Sequence, residues 1–522
     1  MATLVRDILE DIKKKQSTFE QHKDLKVIAQ CQEQLKEFLK DSPDNPEILF
    51  QYAVSEVQLG NQGVAVSLFR RVLSYWPANP HVWSNLGCAE RAIHRIDKAR
   101  DFFGKAISLG HNGDHYNNMA STYINEASPE VGIEFARKAM RLRPDDPKPF
   151  WNYSLLSLEM ENWAEGFGHY DYGFGSGERE MRYYIRTKKE DKSPDLPMWD
   201  GRPNVNLILW DEQGLGDRLM VANCIRKLQH LNLNIIFECH PRLIEIYRLA
   251  FPWIQRFETT VKKSQIKWPK AHKVSRESWF KISTMSLMRL FWSQGEFDKR
   301  PYIFADQARI GRYKKEFQSY GPPPYIGLSW MGGARKTNTK YRSLKLGWFK
   351  EMIKQVGGTW ISLQYHQEAK EKVERFRAET GLTIRHCDGA QKKPYIETLA
   401  ALSALDYCVT AANSVVHTLG AAGLPGAVLV PKKKAWRYVS GPHLPWYHDN
   451  LFQIHQKEHG DWSATLVECV EHLKRRLNGH TLQTMQQVSS TERPGSSTIL
   501  QEVPRGVHES VETEAQQITP GS

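Results

Sequence analysis

A small residue returns at near-constant spacing in the first third of the chain. Ala53, Gly87 and Ala120 follow one another at intervals of 34 and 33 residues, each in similar company. Trp83, Leu86, Ala99, Phe103 and Ala106 surround the second; Ala65, Phe69 and Pro77 follow the first; Tyr116, Tyr123, Ala139 and Pro144 accompany the third. Cys31, Leu35, Phe38 and Pro43 fit the second half of an earlier unit, and a looser unit runs through 149–174. A unit this short cannot bury its own core. It must be a helical hairpin stacked on its neighbours, with small residues where two helices approach, large ones filling the gap, and proline ending each unit.

These offsets are those of a tetratricopeptide repeat, so residues 1–174 are expected to form an all-α TPR solenoid with a concave face for a partner. Residues 175–204 are polar and rich in Gly, Lys and Arg, and read as a linker that docks onto the region C-terminal to it. Beyond it the pattern changes to short apolar runs alternating with helical segments. The expected strands are 205–210, 234–239, 325–330, 359–364, 382–385, 407–410 and 427–430. Strands alternating with helices imply parallel sheets. The GPPPY stretch at 321–325 divides the region into an N-terminal half, 205–320, and a C-terminal half, 321–478, both Rossmann-like. The remainder, 479–522, is rich in Ser, Thr, Gln and Glu and is expected to be disordered.

Three strand-to-helix turns could carry chemistry. In DEQGLGD (211–217), Gly214 and Gly216 permit a tight turn and close approach to a ligand, and Asp217 is either a helix cap or a functional acid. No Gly-Lys-Ser/Thr follows, which excludes a P-loop. The loop MGGARKTNTKYRSL (331–344) gathers Arg335, Lys336, Lys340 and Arg342 and is suited to clamping a diphosphate. In AANSVVHTLGAAG (411–423), Asn413 and Ser414 sit at a helix N-terminus, where amides and dipole favour phosphate, and His417 follows one turn in.

The seven cysteines form no Cys-x-x-Cys pair, which argues against metal and disulfide frameworks and points to a reduced, cytoplasmic setting. The leading residues carry no secretory pattern, and no apolar run reaches the length of a membrane span. The formal charge is +12. Without a basic stripe interleaved with stacking aromatics, nucleic acid is not the expected partner.

Taken in order, PMWDG (197–201), DEQGLGD, RPYIFAD (300–306), IGLSWMG (326–332), YRSL (341–344), ISLQ (361–364), ETLAALSALD (397–406), NSVVHTLGAAG (413–423), AWRY (435–438) and LPWY (444–447) resemble bacterial tetratricopeptide-repeat glycosyltransferases, whose catalytic part is similar to heptosyltransferases of GT-B fold. The resemblance implies an inverting, metal-independent glycosyltransferase of hexosyl or heptosyl type. Its nucleotide-sugar donor is a substrate, no cofactor or metal is expected, and a protein or glycan acceptor would be recruited through the repeats. It makes Asp217 the general base. It places Lys340, Arg342, Asn413, Ser414 and His417 on the diphosphate side, with Gln364 and Glu397 near the nucleotide. The family usually has Asp-Thr where Ala412 and Asn413 stand, so the alternative is a TPR interaction scaffold with a degenerate GT-B part.

Overall fold

The computed structural model describes residues 2–17, 24–126, 128–182, 196–259, 279–332, 339–366, 368–391 and 394–491. The chain separates into two compact units, Met1–Glu471 and His472–Ser522.

The first unit begins with successive helices: α1 (Ala2–Ser17), α2 (Leu25–Asp41), α3 (Pro46–Gln58), α4 (Gln62–Tyr75), α5 (Pro80–Ala92), α6 (Ile96–Leu109), α7 (Gly113–Ser121), α8 (Pro129–Leu142), α9 (Pro147–Glu159), α10 (Trp163–His169) and α11 (Tyr172–Gly175). They form the expected TPR-type solenoid. The repeat is written in its caps as well as its core. Asn45, Asn79, Asn112 and Asp146 each accept a hydrogen bond from the amide two residues on, at 2.8–3.0 Å. Such a cap is worth about 1 kcal/mol. Pro46, Pro80 and Pro147 follow three of them, where proline's fixed φ suits a first helical turn. Ala53, Gly87 and Ala120 are buried. A Cβ on Gly87 would stand 2.6 Å from the Phe103 ring, so only glycine admits this helix contact. The half-unit expected at Cys31–Pro43 is completed by α1, whose Leu9 and Ile12 pack on Cys31, Leu35 and Ile48.

Two parallel sheets come next along the chain. The first contains β1 (Asn206–Trp210), β2 (Asn234–Cys239), β3 (Arg256–Thr259) and β4 (Trp279–Ser283) in the order β3-β2-β1-β4. The second contains β5 (Tyr325–Ser329), β6 (Thr359–Ser362), β7 (Ile384–His386), β8 (Tyr407–Ala411), β9 (Gly426–Val430) and β10 (Leu451–His455) in the order β10-β9-β8-β5-β6-β7. Every strand pair is parallel. The seven expected strands are present, with ends shifted by up to two residues; the run at 382–385 starts late, at Ile384. Three strands were missed for a physical reason. β3 is half-exposed, and β4 and β10 carry buried polar side chains, Lys281 and Gln453, that break the apolar run.

Of the expected linker, 175–204, residues 183–195 lie outside the described residues; the remainder from 196 meets β4. Trp199 is buried, and backbone bonds at 2.9 and 3.0 Å link Trp199 and Pro197 to Lys281 of β4. One apolar core runs from Leu158 and Phe167 through both sheets to Leu451. The expected disordered tail is corrected in part. Residues 479–491 continue the helix that starts at Ser463, with no proline before Pro494 to stop it; 492–522 lie outside the described residues. No helix among the described residues is long and apolar enough to cross a membrane.

Candidate functional site

Each sheet has one place where the strand order reverses. In the first, the chain leaves β1 toward β2 on one side and adds β4 on the other. In the second, β6 and β7 lie on one side of β5 and β8 on the other. Ligands of open parallel sheets bind beyond the carboxyl ends of strands at such points. The turn at 211–217 leaves β1, the loop from 330 leaves β5, and the turn at 412–414 leaves β8. All three sequence motifs therefore sit at the two reversal points.

The first turn is held by two buried ion pairs. Asp211 pairs with Arg218 and accepts from the His240 amide at 2.8 Å. Burial nevertheless pushes its carboxyl up to about 7, against the pull of Arg218. Glu212 pairs with Arg179 at 2.5 Å. Arg179 also donates to Ser283, Ser286 and Asp171, and lies over the Phe174 and Tyr170 rings at 3.9 and 4.7 Å. One guanidinium thus fills the crevice between β1 and β4 and ties it to the last repeat.

The reason for the two glycines differs from the expected one. The left-handed residue in this turn is Gln213, φ 67°. Gly214, at φ −70°, is the N-cap of α12 (Leu215–Arg226), and its amide donates to the Asp217 carboxylate at 3.3 Å. Gly216 is required by the opposite half. A Cβ there would stand 2.6 Å from His417 Cδ2 and 3.2 Å from Ser414 Cα. Its smallness lets α12 lie directly against the helix of the second sheet's reversal point, Ser414–Ala422.

That contact brings residues 200 positions apart together. Asp217 forms an ion pair with Arg437, whose side chain is 20% exposed against 16% for the acid. His417 is buried, with Nδ1 2.9 Å from the Tyr447 hydroxyl. Burial pushes its pKa down to about 4, against the pull of Asp217, with Arg437 adding to the depression, so the ring is neutral at pH 7. Arg342 donates to the Ala412 carbonyl at 3.3 Å. Lys340 is the second residue of the short helical turn Thr339–Arg342, but its side chain, like all of Arg335 and Lys336, lies outside the described residues.

Asn413 caps the Ser414–Ala422 helix through the Val415 amide at 2.8 Å, and its Nδ2 donates to Ser329 and to the Met331 carbonyl at 2.9 and 3.1 Å. It therefore stitches the ends of β5 and β8 together, and its amide is turned to the protein. Gln364 accepts from the Trp330 and Met331 amides at 3.2 and 3.0 Å, while its buried Nε2 has no partner among the described residues. Glu397, expected near the nucleotide, is taken up by Arg309, Arg312 and Tyr313, in an ion cluster that Arg309 extends to Glu245. Sequence reasoning missed Arg437, Arg179 and Glu212. For Arg437 the signal was a cation embedded between aromatics, in AWRY; Arg179 and Glu212 carry no such signal.

No established family profile matches the chain. Protein FlbA of Caulobacter vibrioides is 21% identical over 441 residues, covering 81% of this chain and 72% of that protein. A TPR repeat-containing protein of Schizosaccharomyces pombe is 24% identical over 199 residues, 37% of this chain and 22% of its own length. Among solved structures, MamA is similar over 31% of this chain and 94% of its own, at 18% identity and TM-score 0.26. YrrB, described as a TPR protein with an unusual peptide-binding site, is similar over 27% and 74%, at 12% identity and TM-score 0.24.

Proposed function

We propose that the two parallel-sheet halves form a GT-B-type, metal-independent inverting glycosyltransferase whose acceptor or partner is recruited by the TPR solenoid. The observation that carries this reading is the meeting of two reversal-point turns across the seam between the sheets. It sets one acid, Asp217, against cations and a helix N-terminus of the other half.

In this reading Asp217 accepts the proton of an acceptor hydroxyl. The oxygen attacks the anomeric carbon from the face opposite the leaving group, and the carbon–oxygen bond to the nucleoside diphosphate breaks. The bonding pair leaves with the diphosphate, and the anomeric centre inverts. Negative charge grows on the departing phosphate, where Arg342 and the N-terminus of the helix capped by Asn413 meet it; each well-placed donor is worth about 3–4 kcal/mol at the transition state. Neutral His417 is available as a hydrogen-bonding group, not as a cation.

A second reading has its own observations. Ala412 replaces an acid, the Asn413 amide is turned inward, and Glu397 is committed to an ion cluster. These features favour a TPR interaction scaffold bearing an inactive sugar-transfer module.

The two readings separate on a thermal-shift and calorimetric screen with ADP, UDP, GDP and their sugar conjugates. Binding of one nucleotide, with transfer lost by about 10²–10⁴-fold in Asp217→Asn while nucleotide binding persists, supports the transferase. Undiminished transfer in that variant removes Asp217 as base. Absence of any nucleotide binding by the folded protein leaves the scaffold reading standing.

A further inference from the structure

The seam holds more positive charge than its own acid balances. Arg437 and Arg342 act on each other electrostatically, and burial with the Arg437 charge lowers the pKa of Arg342. Among the described residues, the carboxylate that pairs with Arg437 is Asp217, and the hydrogen bond between them runs through Nε. Asp217, for its part, has one oxygen on Arg437 and the other on the Gly214 amide. Two of the carboxylate's roughly four lone-pair sites are taken in this state.

The loop that carries Arg437 is fixed at both ends by the repeats. Lys433 pairs with Glu126 at 2.8 Å, and the Ser440 amide donates to Glu161 at 2.7 Å. Lys434 closes on the Tyr438 carbonyl at 2.6 Å. Trp436 is buried against Phe167 and Trp446, with ring centroids 5.9 and 5.8 Å away. The end of the Arg437 side chain lies over the Trp436 ring at 4.9 Å and is 20% exposed.

We propose that Arg437 is shared between Asp217 and the donor: it caps the acid in the empty protein and passes to the donor diphosphate, beside Arg342, when the donor binds. The ligand it would take is a nucleoside diphosphate, whose phosphates suit a guanidinium's paired donors better than one carboxylate already bonded to an amide does. Donor binding then releases one oxygen of the acid toward the acceptor. The proposal rests on the glycosyltransferase reading of this seam. It also fixes a linkage: breaking the Arg437–Asp217 pair subtracts from diphosphate affinity, and removing the acid's charge returns it.

The test is a double-mutant cycle read by titration calorimetry with ADP, UDP, GDP and inorganic pyrophosphate as probes. Arg437→Gln is expected to weaken the bound diphosphate at least about tenfold, which is about 1.4 kcal/mol. Asp217→Asn is expected to tighten it about fivefold or more while Arg437 is present, and less than about twofold in the Arg437→Gln background. Simple charge repulsion would give the same gain in both backgrounds. Equal gains, or Arg437→Gln binding like the parent, overturn the shared guanidinium and leave the transferase reading intact. If none of the four probes binds the parent protein, both fall together. Should Arg437→Gln unfold, Arg437→Lys carries the same cycle: its point charge keeps part of the affinity, and the gain from Asp217→Asn shrinks. An undiminished gain with lysine refutes the paired-donor argument.

Discussion

Gly216→Ala adds one methyl group at the place where the two halves touch. The new Cβ would stand 2.6 Å from His417 Cδ2, closer than carbon contacts tolerate, and 3.2 Å from the Ser414 backbone, which a shift of a few tenths of an ångström would relieve. His417 has little room to yield, since it is buried and its Nδ1 is held by Tyr447 at 2.9 Å. Forcing a methyl into such packing costs about 1–3 kcal/mol. Alanine in a helix gives back about 1 kcal/mol relative to glycine. Gly168→Ala, in α10 with nothing within 4 Å, supplies that gain without the clash and is the control. The shared helix gain cancels, so the two variants should differ by about 1–3 kcal/mol in urea unfolding, with Gly216→Ala the less stable. In calorimetry the difference is small. About 2.1 cal/mol/K per residue over a 471-residue unit gives roughly 1 °C per kcal/mol, so paired scans are needed. Adding His417→Ala should remove the 2.6 Å clash and recover about 1–2 kcal/mol of the Gly216→Ala cost, leaving the backbone contact. If Gly216→Ala is as stable as Gly168→Ala, or its cost is unchanged by His417→Ala, the account of this glycine is wrong.

Three further outcomes are expected. Arg179→Ala leaves Glu212 buried without its partner and should cost about 3–5 kcal/mol in unfolding experiments; a change below about 1 kcal/mol would mean that the β1–β4 crevice is not held by this pair. Burial keeps His417 near pH 4 in the folded chain against about 6.5 unfolded, so the unfolded state binds the proton first. Its contribution is therefore fully present above about pH 6.5 and is lost as pH falls toward 4. His417→Gln should flatten that acid limb in urea midpoints taken between about pH 7.5 and 4.5; lowered His240, His115, His386 and His455 keep slope of the same sign, and the raised carboxyls of Asp211 and Glu159 give slope of the opposite sign. Glu397→Gln should lower the melting temperature while leaving nucleoside diphosphate affinity within about twofold, because its carboxylate serves Arg309, Arg312 and Tyr313; a tenfold loss of affinity would return Glu397 to the nucleotide site.

The solenoid was legible in the sequence because its determinants are local and repeated. A capping Asn or Asp, a proline and a small residue recur every 33 or 34 positions, and each acts within a turn or on the next hairpin. The central strands were legible for the same reason, as short apolar runs between helical segments. β4 and β10 were not, because Lys281 and Gln453 are buried by partners elsewhere in the chain: Lys281 Nζ donates to the Arg182 carbonyl at 2.8 Å and Gln453 to that of Gly441 at 2.8 Å.

Local sequence also placed Asp217, Arg342, Asn413 and His417 on strand-to-helix turns, which requires only the alternation of strand and helix. What each side chain does there was decided by tertiary structure. Gly216 is small because His417, two hundred residues later, occupies the space where a Cβ would go. Asn413 faces inward because Ser329 and the Met331 carbonyl await its amide. Arg437 reaches Asp217 because the repeats fix the ends of its loop through Glu126 and Glu161. Spacing along a chain dictates which residues share a turn or a face. Which charge meets which across a seam depends on how two sheets and a solenoid close around one core, and no local pattern carries that distance.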